Sequence, residues 1–151
     1  MTEHPAAARV RTTPKEWPMK ILVAYDGSKS SENALKLAME HAKVFEASLD
    51  VITSAERTKS EKDLPLVEEA EKRLWQVEEE CKKQNIACST HLLIRGFSPG
   101  EDTVEFAREN GIDEIVVGIR KESKVGKLVM GSTAQYIILK APCPVVTIRN
   151  R

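Results

Sequence analysis

The sequence predicts a single doubly wound α/β domain with a mostly parallel sheet. The chain of 151 residues is long enough for one domain with a substantial core, because a domain of that size buries roughly 68–70% of its unfolded surface. Five short apolar runs alternate with four amphipathic helical patterns. Strands that alternate with helices need crossover connections, which are right-handed in nearly all proteins, so the five strands should run parallel with four helices flanking both faces.

The first 18 residues differ in composition from the rest of the chain. They contain three prolines and no apolar period, which is typical of an extended or disordered arm. Trp17 is the exception, since an aromatic residue just before a first strand usually seals the edge of a core. We therefore predict an arm over residues 1–18 and a folded domain over residues 19–151.

The first half of the domain begins with the predicted central strand. Residues 21–25 form a continuous apolar run, as in a strand that is buried on both faces. The run ends in Asp26-Gly27-Ser28, and alanines at three- and four-residue spacing then predict a helix as far as Phe45. Residues 49–53 are the second predicted strand, followed by a surface loop. Residues 64–84 form a long helix, with one apolar stripe opposite a face of acids and bases four residues apart.

The second half repeats the alternation of strands and helices. Residues 87–94 are the third predicted strand. Ser98-Pro99-Gly100-Glu101 then supplies an N-cap, a proline at the first helical position and a capping-box acid. Gly111 offers a left-handed helix end, and residues 115–118 form the fourth strand. The last helix stops before two prolines, and residues 145–148 form the fifth strand.

The composition argues against several classes of partner. Basic and acidic residues both total 23 and the formal net charge is zero, so no global positive field attracts nucleic acid or anionic lipid. No apolar run approaches the roughly 18 residues of a membrane span, and the amino terminus lacks the apolar region of a secretion signal. We therefore expect a cytoplasmic protein without nucleic-acid or membrane partners. Three cysteines at no metal or redox spacing should be reduced and mostly buried.

Residues 118–133 carry the strongest functional signal. Ligands of doubly wound folds bind beyond the carboxyl ends of the strands, and this segment leaves a strand and enters a helix. Gly131 and Ser132 stand where the helix begins, so free backbone N–H groups and the helix dipole favour an anion there. Three lysines, including Lys121, add positive charge to the loop. The alternative reading is a loop that only caps the helix.

The segment resembles the ligand loop of the universal stress protein family, and the resemblance extends over residues 19–149. The family pattern is a glycine, two residues, a second glycine, nine residues, and a third glycine followed by serine or threonine. Gly118, Gly131 and Ser132 stand at the first glycine, the third glycine and the hydroxyl position, whereas Lys121 replaces the second glycine. Asp26 with Ser28, and the apolar strand after Pro144, are further similarities to the family.

The resemblance implies a Rossmann-like fold of the adenine nucleotide alpha hydrolase type that binds ATP, with or without Mg²⁺. Asp26 would lie near the ribose and adenine, the backbone at Leu49 would meet the adenine edge, and Gly118 would approach the ribose and phosphates. Backbone N–H groups at the start of the last helix would cradle the phosphates. The implied nucleotide-binding residues are Asp26, Ser28, Leu49, Gly118, Lys121, Gly131, Ser132 and Thr133.

Lys121 could either weaken or support ATP binding. A lysine at a positive φ would be strained by about 1–2 kcal/mol, whereas its ammonium group could replace a close backbone approach with a charge. Asp26 also has an alternative role, since aspartate often bonds the backbone of its own turn.

The sequence leaves three functions open. The first is an ATP-binding regulatory protein, a dimeric sensor or adaptor in stress response that pairs through the apolar edge strand of residues 145–148. The second is a nucleotide-free dimeric interaction protein, in which Lys121 has removed ATP binding. The third is an ATP-using enzyme, but the first loop has one glycine where such relatives have a pair. The three histidines are scattered along the chain, and we expect a structural role for His41 and His91. We therefore expect no catalytic residues and at most a slow ATPase.

Overall fold

The computed structural model describes residues 18–55, 63–119 and 130–149. Trp17, Lys121 and the predicted arm, except for its last residue Pro18, lie outside the described residues. The described helices and strands are β1 (Lys20–Ala24), α1 (Lys29–Phe45), β2 (Ser48–Ser54), α2 (Leu64–Lys83), β3 (Cys88–Leu93), α3 (Pro99–Asn110), β4 (Glu114–Ile119), α4 (Ser132–Lys140) and β5 (Val145–Arg149).

The five strands form one parallel sheet in the order β3-β2-β1-β4-β5. The chain therefore builds outward from β1 to one edge, then returns to the other side of β1 and builds to the second edge. This arrangement confirms the predicted doubly wound sheet with four flanking helices. The reversal between β1 and β4 creates a topological switch point, where folds of this class bind ligands.

The central strand divides the core into two layers. Ile21, Leu22 and Val23 of β1 are all 0% exposed, because side chains alternate between the two faces of a strand and both faces are covered. Ile21 and Val23 pack with α1 and α2 on one face. Leu22 packs with α3 and α4 on the other face. A continuous apolar run was the correct signal for this doubly covered strand.

The helix ends follow the local signals in the sequence. Ser28 caps α1 by accepting a hydrogen bond from the Ser31 backbone N–H at 3.3 Å. Ser98 and Glu101 form the predicted capping box at the start of α3. Gly111 ends α3 in the left-handed region with φ of 60°, a conformation that glycine adopts without strain.

The charged face of α2 differs in detail from the predicted pairs. Arg73 pairs with Glu69 at 3.3 Å as expected. Lys82 instead pairs with Glu79, three residues away, at 3.6 Å. Glu78 accepts a hydrogen bond from the Thr90 hydroxyl of β3 at 2.5 Å. The side chain of Glu78 therefore joins α2 to the sheet, a role that helical spacing alone does not reveal.

Two histidines pair with partly buried carboxylates away from the switch point. His41 Nδ1 lies 2.7 Å from the Glu114 carboxylate, and His91 Nε2 lies 3.0 Å from that of Asp50. Both pairs join neighbouring elements, as a structural role requires.

The three cysteines are free thiols: Cys81 is buried, whereas Cys88 and Cys143 are partly exposed. Burial raises the pKa of the Cys143 thiol to about 11. Within the described ranges, no helix combines the length and apolar character that crossing a bilayer requires.

Candidate functional site

A cleft of about 360 Å³ opens at the switch point, beyond the carboxyl ends of β1, β2 and β4. The starts of α1, α3 and α4 form the rest of its wall. Each helix start presents the positive end of a helix dipole, although Ser28 caps α1 and Ser98 caps α3. The residues that line the cleft are Ala24, Tyr25, Asp26, Ser28, Lys29, Ser30, Ser31, Ile52, Ser54, Pro99, Thr103, Val117, Gly118, Gly131, Thr133 and Ala134.

The turn between β1 and α1 holds the Asp26 carboxylate at the edge of the cleft. Its Oδ1 accepts hydrogen bonds from the Ser28 backbone N–H at 2.8 Å and the Ser31 hydroxyl at 2.9 Å. Burial acts to raise the pKa of Asp26, but these hydrogen bonds outweigh it and hold the pKa below its ordinary value. Asp26 is therefore an ionised hydrogen-bond acceptor at neutral pH. Asp26 therefore both stabilises its own turn and lines the cleft.

Gly118, in β4, allows the first turn of α1 to approach the sheet. A Cβ atom built on Gly118 would lie 2.1 Å from the Ser30 carbonyl oxygen and 2.9 Å from the Ser30 Cβ. Real Cβ atoms do not approach backbone atoms this closely, so only glycine fits. Close packing of α1 therefore requires glycine at position 118, independently of the ligand-loop pattern of the family. Gly118 also lines the cleft.

The start of α4 forms the opposite wall of the cleft. Gly131 is the N-cap, with φ of −67° and ψ of 157°, and the helix begins at Ser132 as predicted. The Gly131 carbonyl accepts the first helical hydrogen bond, from Gln135 N–H at 3.0 Å. No side chain caps this helix start in the described structure. The site therefore suits an anion, since the first N–H groups of a helix lack partners within the helix.

A polar cluster around the buried Asp102 lies at the end of β2. The Ser54 hydroxyl donates to Oδ2 of Asp102, a residue of α3 with 0% exposure. Oδ1 of Asp102 accepts from Arg95 Nε at 2.9 Å. Arg95 also reaches Glu109 at 3.3 Å. The sequence predicts a surface loop at Ser54, but Ser54 is the last residue of β2. The position of Ser54 directly after an apolar run is the sequence signal that could have placed it in the strand.

The structure brings most of the predicted site residues together. Five of them line the cleft: Asp26, Ser28, Gly118, Gly131 and Thr133. Ser132 is exposed at the first position of α4 and does not line the cleft.

Leu49 requires a correction, because the structure does not bring it to the cleft. Its side chain is 1% exposed, and its backbone N–H donates to the Ala87 carbonyl at 2.8 Å. Leu49 lies near the amino end of β2, where it pairs with Ile21. The carboxyl end, at Ser54, is roughly 16 Å farther along the strand at about 3.3 Å per residue. The residues of β2 at the cleft are Ile52 and Ser54.

The sequence profile of the universal stress protein family matches residues 19–149 of the chain. The chain belongs to the universal stress protein family. The match spans every described helix and strand. The universal stress protein resemblance drawn from the ligand loop and the first turn is thereby confirmed.

Individual universal stress proteins are similar along most of their length. A universal stress protein encoded beside a sulfhydrylase gene in Thermus aquaticus is 34% identical over 134 residues, covering 85% of this chain and 97% of that protein. The structure of a universal stress protein from Archaeoglobus fulgidus is 37% identical with a TM-score of 0.75, covering 86% of this chain and 98% of that one. A universal stress protein from the same organism, solved in complex with dAMP, is 32% identical with a TM-score of 0.69, covering 86% and 97%.

Proposed function

We propose that this universal stress protein binds ATP in the switch-point cleft and acts as a dimeric sensor or adaptor in the cytoplasm. The observation that carries the proposal is the convergence of three helix starts and the Asp26 carboxylate on one cleft. The structure of the Archaeoglobus fulgidus relative in complex with dAMP supports an adenine nucleotide as the ligand.

The dimensions of the cleft fit a nucleotide. Its volume of about 360 Å³ lies within the range of roughly 300–1,000 Å³ for small-molecule sites. The phosphates would lie at the start of α4, where Gly131 has no side chain to keep them from the backbone and Mg²⁺ could accompany them. Strands β2 and β4 flank β1, so their ends are roughly 10 Å apart, at two strand spacings. The base would then reach Ile52 and Ser54 at the end of β2, with Asp26 near the ribose hydroxyls.

The residues of the cleft favour binding over hydrolysis. Among the described residues that line it, Asp26 is the one carboxylate, and none is histidine or cysteine. Its hydrogen bonds hold the pKa of Asp26 below the ordinary value, which makes it a weak general base. We therefore propose a binding protein that is at most a slow ATPase.

Calorimetric titration of freshly purified protein with ATP tests the proposal, with and without Mg²⁺. We expect saturable binding of one nucleotide per chain, and weaker binding of adenosine because it lacks the phosphates. Protein that takes up neither ATP nor adenosine after removal of copurifying nucleotide would contradict the proposal. The nucleotide-free interaction protein would then be the better reading.

Lys121, outside the described residues, gives a further prediction. Its ammonium would make a charge-assisted bond to a phosphate, which contributes about 1.5–3 kcal/mol. We expect Lys121→Gly to weaken ATP binding about tenfold, to leave adenosine binding unchanged and to reduce the salt dependence of ATP binding. Tighter ATP binding by Lys121→Gly would show instead that backbone strain at the lysine outweighs the charge.

The proposed dimer pairs through β5. This strand is one edge of the sheet, and its sequence is more apolar than that of β3, the other edge. The helix that precedes β5 in the chain, α4, also has exposed apolar side chains: Leu139 is 70% exposed and Ile138 is 40% exposed. An apolar edge strand favours pairing with a second copy about a two-fold axis, and the exposed apolar side chains of α4 add to the surface that a partner could cover.

Thr147→Pro is expected to convert the dimer to a monomer. The Pro144 carbonyl accepts from Ile115 N–H of β4 at 3.0 Å, and backbone groups alternate sides along a strand, so Thr147 N–H faces the free edge. Proline removes this donor without removing a bond to β4. Light scattering at micromolar concentration should give about twice the monomer mass for the parent and for the control Thr147→Val. A monomeric parent protein would overturn the dimer.

A further inference from the structure

Two cysteine side chains meet between α2 and β3, at the end of the sheet opposite the cleft. Cys81 lies in the last turn of α2. Cys88 is the first residue of β3 and pairs with Leu49, near the amino end of β2. Cys81 is 0% exposed, and Cys88 packs against the same core cluster that contains Cys81. A hydrogen bond joins the two thiols, so their sulfur atoms are in contact.

A second contact fixes the alignment of α2 with β3. Glu78 lies three residues before Cys81, on the same face of the helix, and accepts a hydrogen bond from the Thr90 hydroxyl at 2.5 Å. Thr90 lies two residues after Cys88 and therefore points to the same face of the sheet. The hydrogen bond and the thiol pair are thus neighbouring links between the helix and the strand. Sulfur atoms held in this way need only a small movement to reach the disulfide bond length of about 2.05 Å.

Cys88 also lines a groove on the surface of the domain. The groove has a volume of about 520 Å³, and Glu78 and Lys82 of α2 line it as well. Among the described strands, β3 is one edge of the sheet, so none of them covers its outer side. A small oxidant can therefore reach Cys88, which is partly exposed, whereas Cys81 is fully buried.

We propose that Cys81 and Cys88 form a redox-active dithiol, which a hydroperoxide converts into a disulfide that joins α2 to β3. The dithiol is separate from the proposed nucleotide site, since Cys88 lies beside the amino end of β2 and the cleft lies at the carboxyl ends of the strands. The pair is an oxidation site, and thiol reductants reverse the modification.

The reaction with hydrogen peroxide balances over two steps. The Cys88 sulfur, as its thiolate, attacks one peroxide oxygen, the O–O bond breaks, and hydroxide leaves and takes up the proton lost by Cys88. The product is a sulfenic acid. The Cys81 sulfur then attacks the Cys88 sulfur, the S–S bond forms and the S–O bond breaks, and hydroxide leaves with the Cys81 proton as water. Two thiols and one peroxide thus give one disulfide and two waters, with two electrons passing from sulfur to oxygen.

The hydrogen bond between the thiols assigns the two steps to the two sulfur atoms. It lowers the pKa of the Cys81 thiol, which suits Cys81 to the second attack, because the thiolate is the nucleophile. The same bond, together with burial, raises the pKa of Cys88. Cys88 is therefore mostly protonated at neutral pH, and its attack on peroxide is slow. Closure of the disulfide thus requires sustained exposure to peroxide.

Peptide mapping of the full chain after treatment with excess hydrogen peroxide tests the proposal. Trypsin cleaves after Lys82 and Lys83, which separate the two cysteines in the chain. The disulfide therefore appears as two tryptic peptides that are joined through Cys81 and Cys88. We expect this linked pair and a chain mass that is lower by two hydrogen atoms. Dithiothreitol should separate the peptides and restore the mass.

The disulfide should also stabilise the domain. Closing a short loop with a disulfide should raise the melting midpoint by roughly 5–10 °C, and the rise should disappear on reduction. Cys88→Ser should show neither the linked peptides nor the rise. The matched control Cys143→Ser, which removes the third cysteine of the chain, should show both.

The peptide map also identifies the results that would overturn the proposal. One is a chain whose cysteines all remain unmodified under excess peroxide. Another is Cys88 oxidised to the sulfinic acid with no linked peptide, and a third is a disulfide to Cys143 or to a second chain. The map of the parent protein is decisive even if Cys88→Ser does not fold, because it identifies the bonded sulfur atoms directly.

Discussion

Gly118→Ala is expected to lower the free energy of unfolding by about 3 kcal/mol, at the upper end of the range for overpacked sites. The added Cβ would lie 2.1 Å from the Ser30 carbonyl oxygen. The obstacle is backbone within the first turn of α1, which cannot rotate away as a flexible side chain can. Thermal melting should show a midpoint lower by roughly 6–12 °C for a domain of this size.

Two glycines provide matched controls for this substitution. Gly96 and Gly111 have φ of +81° and +60°, and a Cβ at either would meet nothing within 4 Å. Alanine at these positions tests conformational strain alone, which we expect to destabilise by about 1–2 kcal/mol. Gly118 has no such positive φ, so its effect is purely steric. A melting midpoint for Gly118→Ala no lower than those of the two controls would contradict the close approach of α1 to β4.

Gly131→Val is expected to weaken ATP binding by at least roughly 100-fold, equivalent to about 2.7 kcal/mol. A branched side chain at the N-cap of α4 would occupy the space that the proposed phosphates need to reach the backbone N–H groups. Each charge-assisted hydrogen bond lost there contributes about 1.5–3 kcal/mol. Calorimetry with ATP measures the loss directly.

The backbone at Gly131 makes this variant a clean test. Its φ of −67° and ψ of 157° are extended values that valine adopts readily, so the fold should persist with only a small loss of helix capping. Adenosine, which lacks phosphates, should bind Gly131→Val and the parent protein equally well. If Gly131→Val binds ATP as tightly as the parent does, the phosphates do not lie at the start of α4.

The sequence predicted the elements because their signals are local. The apolar run of β1, the capping box of α3 and the glycine that ends α3 each depend on residues within a few positions of one another. Boundaries shifted by one or two residues, as for the third strand, predicted at 87–94 and observed at Cys88–Leu93. The order of elements was enough to predict a parallel doubly wound sheet, since the handedness of crossovers leaves few alternatives.

The same logic located most of the site. Carboxyl ends of parallel strands meet at one edge of the sheet, and helix starts follow them. Asp26, Gly118 and Gly131 could therefore be placed together from their positions at element ends, and all three line the cleft. Leu49 could not, because the choice between the two ends of β2 was made from the family resemblance and not from the direction of the strand.

The sequence by itself determined the fold class, the family and the segments that surround the cleft, because each rests on patterns that are complete within a short stretch of chain. The tertiary structure alone decided which atoms meet. Ser30 approaches Gly118 across 88 residues, and Ser54 reaches Asp102 across 48. Such contacts depend on strand register and on how closely each helix packs against the sheet. Small shifts in either change every partner, and no local pattern records them.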